Sequence, residues 1–220
     1  MTTPGHPREP DASGIAAGLE ALGIEAPAGA AESLRAYLAL LAEWNRAYNL
    51  TAVRDPGEMV RRHILDSAAA LPFLHGTRML DAGSGAGLPG LVLSILAPRT
   101  RWVLAESTGK KARFLAHAVR TLGLGGRVEV HAGRVEDYPA EAGFDTVTAR
   151  ALADLPQLAK WSAPLLAPGG RIVALKGRFA TAREECAALG GGWRSRINPV
   201  NLPGEEAERC IVVLERGTTG

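Results

Sequence analysis

From Glu32 onward, apolar residues recur at steps of three and four: Leu34, Tyr37, Leu38, Leu41, Trp44 and Tyr48. That is the spacing of one buried face of an amphipathic helix. Asp55-Pro56-Gly57-Glu58 opens a second helix. Asp55 is placed to cap it, Pro56 suits the first helical position, and Glu58 stands three residues after the cap. Met59, Ile64, Leu65 and Leu71 give this helix an apolar side. Residues 1–31 are different, rich in Ala, Gly and Pro with a weak apolar stretch at Ile15, Leu19, Leu22 and Ile24. They predict a poorly ordered tail with room for a short helix.

After Gly76 the texture changes to short apolar runs alternating with longer helical patterns. Strands are predicted at Arg78–Ala82, Arg101–Glu106, Val128–His131, Asp145–Thr148 and Ile172–Leu175, with helices beginning near Leu88, Gly109, Leu152 and Phe179. Such alternation implies βαβ units and an α/β fold, its mainly parallel sheet covered by helices on both faces. Trp193–Val200 and Arg209–Leu214, separated by Leu202-Pro203-Gly204-Glu205, read as a terminal antiparallel pair. The chain divides into a tail over 1–31, a helical cap over 32–75 and a cofactor-binding domain over 76–217.

Composition narrows the class without naming a chemistry. The 220 residues are 46% hydrophobic and 22% charged, with a formal net charge of +2. Charge alone therefore argues neither for nor against a nucleic-acid partner. No apolar run approaches the roughly 20 residues of a membrane helix, and the first residues lack a secretory core. Two cysteines, Cys186 and Cys210, are too few for a disulfide framework or a four-ligand zinc site. A monomer in a reducing cytoplasm, without metal or membrane, is the expectation.

The informative run is Met79-Leu80-Asp81-Ala82-Gly83-Ser84-Gly85-Ala86-Gly87-Leu88-Pro89-Gly90, where the first strand turns into a helix. Glycines let backbone turn tightly and approach a ligand closely, and the helix start offers free N–H groups. Read from Gly85, the run fits a dinucleotide fingerprint. Read from Gly83, it is Asp-x-Gly-x-Gly-x-Gly, the turn of S-adenosylmethionine (SAM) enzymes. Register favours SAM. The dinucleotide reading starts four residues beyond Asp81 and puts Pro89 where N–H donors are needed. A purely structural turn is the remaining alternative. In the SAM reading Asp81 accepts a hydrogen bond near the amino-acid end of the cofactor. Glu106, ending strand two, accepts from both ribose hydroxyls, because an ionised carboxylate only accepts. Gly133-Arg134-Val135-Glu136-Asp137 and Thr148-Ala149-Arg150 follow strands three and four, at the carboxyl ends where open α/β sheets bind ligands.

These residues resemble a known family. Trp44-Asn45 with Asn49-Leu50-Thr51, Arg62-His63-Ile64-Leu65-Asp66-Ser67, the Leu80–Gly90 run, Lys110-Lys111-Ala112-Arg113-Phe114-Leu115 and Ala174-Leu175-Lys176-Gly177 occur in its order. Together they are similar to the bacterial small-subunit ribosomal RNA methyltransferase G family, once called glucose-inhibited division protein B, over about residues 32–214. The resemblance implies a seven-stranded class I SAM-dependent methyltransferase sheet with an N-terminal helical cap. It implies methylation of guanine N7 in 16S rRNA, with naked rRNA, the small ribosomal subunit or an assembly intermediate as partner. Carried over by position, Gly83, Leu88, Val135, Glu136 and Arg150 contact the cofactor. Gly85 of the glycine turn and Glu106 complete the expected set. Glu106 stands where the family often has Asp, and Ser84 where Thr is usual; both keep the hydrogen-bonding type.

No residue is assigned to catalysis. Guanine N7 carries a free lone pair and needs no general base, so positioning can drive an in-line transfer. The chain has no Asn-Pro-Pro-Tyr or Asp-Pro-Pro-Tyr after strand four and no Pro-Cys nucleophile. Arg61-Arg62-His63, Lys110-Lys111 with Arg113, Lys176 with Arg178, and Arg194 with Arg196 are candidate RNA contacts; solvated faces are the plainer reading of each. A small-molecule or protein methyltransferase and a nicotinamide-dependent reductase or nucleotide-binding module are the competing classes.

Overall fold

The computed structural model describes residues 11–139 and 143–217. Helices α1 (Ala12–Ala21) and α2 (Ala30–Tyr48) come first, then α3 (Pro56–Met59), a π-helical turn over Val60–Leu65 and α4 (Asp66–Ala68). The sheet elements alternate with helices: β1 (Arg78–Ala82), α5 (Gly90–Leu96), β2 (Arg101–Ala105), α6 (Gly109–Thr121), β3 (Val128–His131), β4 (Phe144–Arg150), α7 (Leu155–Ser162), β5 (Leu166–Lys176) and α8 (Phe179–Ala187). Strands β6 (Trp193–Val200) and β7 (Arg209–Arg216) end the chain's regular structure. The seven strands lie in the order β3-β2-β1-β4-β5-β7-β6. β7 is antiparallel to both neighbours, and the other pairings are parallel.

Both sheet faces are covered, and strand alternation decides which core each residue joins. Ile211 and Val213 of β7 face the core shared with α1, α2, α5 and α6, whereas Cys210, Val212 and Leu214 face the one shared with α7 and α8. The first face therefore carries the cap. Neither cysteine is bonded, and Cys210 is buried.

The short helix for which residues 1–31 had room is α1, and among the described residues it is packed rather than loose. Asp11 caps α1 through Ser13 N at 3.1 Å, and Ile15 and Leu19 are completely buried. Both join the core shared with α2 and the π-helical turn, and Gly18 leaves room for the Leu65 methyls, which a Cβ there would approach to 2.9 Å. The cap thus begins at Ala12. Residues 1–10 lie outside the described residues.

The α2 stripe is buried at Leu34, Tyr37, Leu38 and Leu41, but Tyr48 is exposed at 40%. Trp44 is half-buried, sandwiched between Tyr48 at 5.4 Å and Phe114 at 5.6 Å between ring centroids. Asp55 Oδ1 accepts from Glu58 N at 2.8 Å, as the cap pattern requires. Nothing in the sequence marks the π-helical turn that follows. Helix α7 starts at Leu155 rather than near Leu152, because Ala151 adopts φ +51° and Asp154 takes the cap role, accepting from Gln157 N at 2.8 Å.

Candidate functional site

The glycine turn leaves β1 at the centre of the sheet. Gly83, Gly85 and Gly87 all have positive φ, at +67°, +58° and +98°. The positive φ of Gly83 favours glycine, and a Cβ there would also push against Leu152 Cδ1 at 2.5 Å. At Gly85 the nearest atom to such a Cβ is the Gly83 carbonyl oxygen at 3.9 Å, so this side of the turn is open. Ser84 N donates to the Ala105 carbonyl at 2.9 Å, and Ser84 Oγ to the Asp81 carbonyl at 3.0 Å. From the cap, Tyr37 donates its hydroxyl to the Ala86 carbonyl at 2.8 Å. Tyr37→Phe should keep the packing and lower unfolding free energy by about 1 kcal/mol, the net worth of one such bond. Urea denaturation checks this; an unchanged midpoint would mean that the bond does not hold the cap to the turn.

Glu106 is the second element. Its carboxylate accepts from Gly85 N at 2.8 Å through Oε2 and from Thr108 N at 2.7 Å through Oε1. It therefore joins the glycine turn to the start of α6. A carboxylate has about four lone-pair sites, so acceptor capacity for a vicinal diol remains beside the open face of Gly85. Val135 is buried and Glu136 exposed in a 3-10 turn after β3, where Glu136 lies 3.7 Å from Arg134. Gly83, Gly85, Glu106, Val135 and Glu136 all stand in loops at the carboxyl ends of β1, β2 and β3. Leu88, 9% exposed, packs in the core behind the turn, and its peptide bond to Pro89 is cis.

Asp81 lies near the end of β1. It is fully buried, and both oxygens are engaged: Gly90 N donates at 3.1 Å and Thr148 Oγ1 at 2.7 Å. Burial pushes its carboxyl up to about 6, against the lowering effect of those hydrogen bonds. Asp81 thus fastens α5 and β4 to β1 from a fully buried position beneath the turn. Its partner Thr148 is in direct register with it across the β1–β4 pairing.

Arg150, at the end of β4, faces the cap. Its Nη1 lies 3.0 Å from Asp66 Oδ2 and donates to the Arg62 carbonyl within the π-helical turn at 2.8 Å. Arg209 donates to the other Asp66 oxygen at 3.2 Å. Asp66 is raised above the usual carboxylate range because burial outweighs both arginines. Its motif was visible in the sequence, but this function was not, because its partners lie 84 and 143 residues downstream. His63 is buried next to this network. Its Nε2 is 3.0 Å from the Thr51 hydroxyl, whose oxygen also accepts from Val53 N. Burial pushes His63 down to about 4.

Two of the basic clusters are internally compensated. Arg61 and Arg62 pair with Glu58, and Lys176 with Glu185 at 2.7 Å. Among the described residues no ion pair takes up Lys110, Lys111, Arg113, Arg194 or Arg196. No group of three His, Cys, Asp or Glu among them could hold a metal, and no helix is long and apolar enough to cross a membrane.

The strand order, with its antiparallel β7 and a glycine turn after β1, defines a class I SAM-dependent methyltransferase fold. Solved structures with the same fold include cofactor-bound Rv0187 from MTB (TM-score 0.61, 18% identity, 96% of this chain and 98% of that one). Another is the O-methyltransferase TomG from Streptomyces achromogenes in complex with SAM (TM-score 0.55, 19% identity, 90% and 94%). Residues 30–194 match the family model GidB, rRNA small subunit methyltransferase G. The ribosomal RNA small subunit methyltransferase G of Xanthomonas campestris pv. campestris (strain B100) is 46% identical over 209 residues, 94% of this chain and 96% of the relative. That of Methylococcus capsulatus is 46% identical over 198 residues, 90% and 95% respectively. The chain belongs to the rRNA small subunit methyltransferase G family.

Proposed function

We propose that this chain transfers a methyl group from SAM to N7 of a guanine in 16S rRNA. The observation that carries the reading is the family match, which spans both the cap and the glycine turn. Bound SAM supplies an electrophilic methyl group on a sulfonium. Gly83 and Gly85 give the close backbone approach, and Gly85 presents no Cβ to the cofactor. Glu106 accepts from the ribose hydroxyls with the lone pairs that Gly85 N and Thr108 N leave free. Val135 and Glu136 border the base, and Leu88 backs the turn. Arg150 uses Nη1 on the cap; its other guanidinium N–H groups remain to orient cofactor or substrate.

The chain's contribution to the chemistry is position. Guanine N7 brings its own lone pair, so no side chain has to remove a proton before attack. Holding nucleophile, methyl carbon and sulfur in line can supply several kcal/mol of the barrier reduction, from an upper range of about 7–11. The Glu106 and Tyr37 bonds hold the turn, and the Asp81 bonds fasten the strand that leads into it, which supports such positioning.

Labelled SAM and small-subunit rRNA from cells lacking the modification test the reading. Reduction and aniline treatment cleave RNA at N7-methylguanine, so a single labelled cut is the expected result. Label without a cut would remove N7 and leave rRNA methylation. No label in naked RNA or in subunits would turn the search to small molecules or proteins.

A further inference from the structure

The far end of the sheet carries a second basic feature, absent from the clusters legible in the sequence. Arg78 opens β1 and Arg101 opens β2, and the two are direct register partners. Trp102 pairs with Val128, so Arg127 stands opposite Arg101 at the mouth of β3. Three arginines thus lie in one row across adjacent strands spaced about 4.8 Å apart. All three line one open cleft of about 430 Å³. Like charges placed opposite one another on a sheet repel, so the row needs a reason.

Compensation within the cleft is thin. Among the described residues none of the three guanidiniums is in an ion pair. Among the described residues Glu129 is the one carboxylate lining the cleft. Asp145, nearby, spends Oδ2 on Thr77 N and Arg78 N at 2.7 and 2.8 Å. The arginines are also placed rather than loose. Arg78 stacks over Phe144, 5.7 Å from the ring centroid, and Arg127 donates to the Ser94 carbonyl. Gly125 and Gly126 form a side-chain-free rim with nothing within 4 Å of either missing Cβ.

We infer that this cleft binds backbone phosphates of the folded RNA substrate, as a contact separate from the methyl-transfer site. The inference rests on the rRNA reading above. Planar guanidiniums suit phosphate geometry, and backbone can approach over the glycine rim. The cleft sits at the amino ends of the strands, on the order of 15 Å from the glycine turn at their carboxyl ends. A single nucleotide held at the turn does not reach it. A folded RNA does.

The test compares the wild type with Arg101→Glu/Arg127→Glu and with Arg101→Lys/Arg127→Lys, after SAM affinity and melting show each to be folded. Charge reversal should raise KM for folded small-subunit rRNA at least tenfold with kcat unchanged. It should also reduce the salt slope of RNA binding by about 2, one per lost phosphate contact. The lysine variant should keep most of that slope, and a short hairpin carrying the target guanine should not distinguish the three proteins. Unchanged KM and slope for folded rRNA would overturn the inference, as would an equal effect on the hairpin. Wild type that binds rRNA without methylating it would sink the functional reading alone; the slope comparison would still decide the cleft.

Discussion

Glu106→Gln should weaken SAM binding by roughly 100-fold, about 3 kcal/mol. One carboxylate serves two backbone donors, Gly85 N and Thr108 N, and in the proposed complex two ribose hydroxyls as well. An amide of the same shape has one acceptor oxygen and one donor nitrogen. Whichever way it is turned, an N–H of the turn or of the α6 start faces another donor. Each hydrogen bond to a charged group is worth about 1.5–3 kcal/mol, so losing one and straining another accounts for the figure. Glu106→Asp keeps the charge and shortens the reach by one methylene; a loss within about tenfold is expected, on the order of 1.4 kcal/mol. Calorimetric titration of SAM into the three proteins decides the matter. Equal affinity for the Gln variant would remove Glu106 from the cofactor site.

The second large effect concerns pH and stability, where two buried groups oppose each other. Asp81 rises from its ordinary 3.8 to about 6 on folding. Between those values the folded protein holds a proton that the unfolded chain has lost, so this group's contribution to stability falls as pH rises. His63 goes down from 6.5 to about 4. In that window the unfolded chain binds the proton, and stability is lost as pH falls. Each is worth about 3 kcal/mol at full extent. Over pH 4 to 6 they nearly cancel, with Asp66 adding in the direction of Asp81.

Substitution should expose the hidden slopes. His63→Gln, which keeps an acceptor for Thr51, should gain stability relative to wild type by up to about 3 kcal/mol as pH falls from 7 to 4. Asp81→Asn should lose a similar amount relative to wild type over the same interval, and the double variant should track wild type. Urea midpoints at several pH values give these differences directly. Parallel curves for wild type and both single variants would show that neither group titrates differently in the folded and unfolded states.

Local physical chemistry made much of this protein readable before any coordinates. β1, β3 and β6 lie where apolar alternation placed them, and Asp55 caps the helix its spacing announced, because both depend on residues a few positions apart. The glycine turn is legible for the same reason: three closely spaced positive-φ positions favour glycine wherever the rest of the chain goes. The ends of β4 and β5 were less legible. Their extra residues belong to strands only because the two pair across a register shift between Phe144 and Thr146, with Gly170 packed under the Phe144 carbonyl.

Tertiary structure alone decided which polar residues face inward and what they hold. Asp81 stands near a strand end in the sequence, and only the pairing with β4 brings Thr148 beside it as a hydrogen-bond partner. The weak apolar stretch left room for a short helix, and only packing against the rest of the cap buries Ile15 and Leu19 of α1 completely. Arg150 meets Asp66 only because α4 and β4 converge from 84 residues apart. Arg78, Arg101 and Arg127 are scattered singly along the sequence and become a row only through strand register. Propensity, capping and turn chemistry act over a few residues and are written in the sequence. Charge pairing and burial act across space, and the sheet has to assemble before they exist.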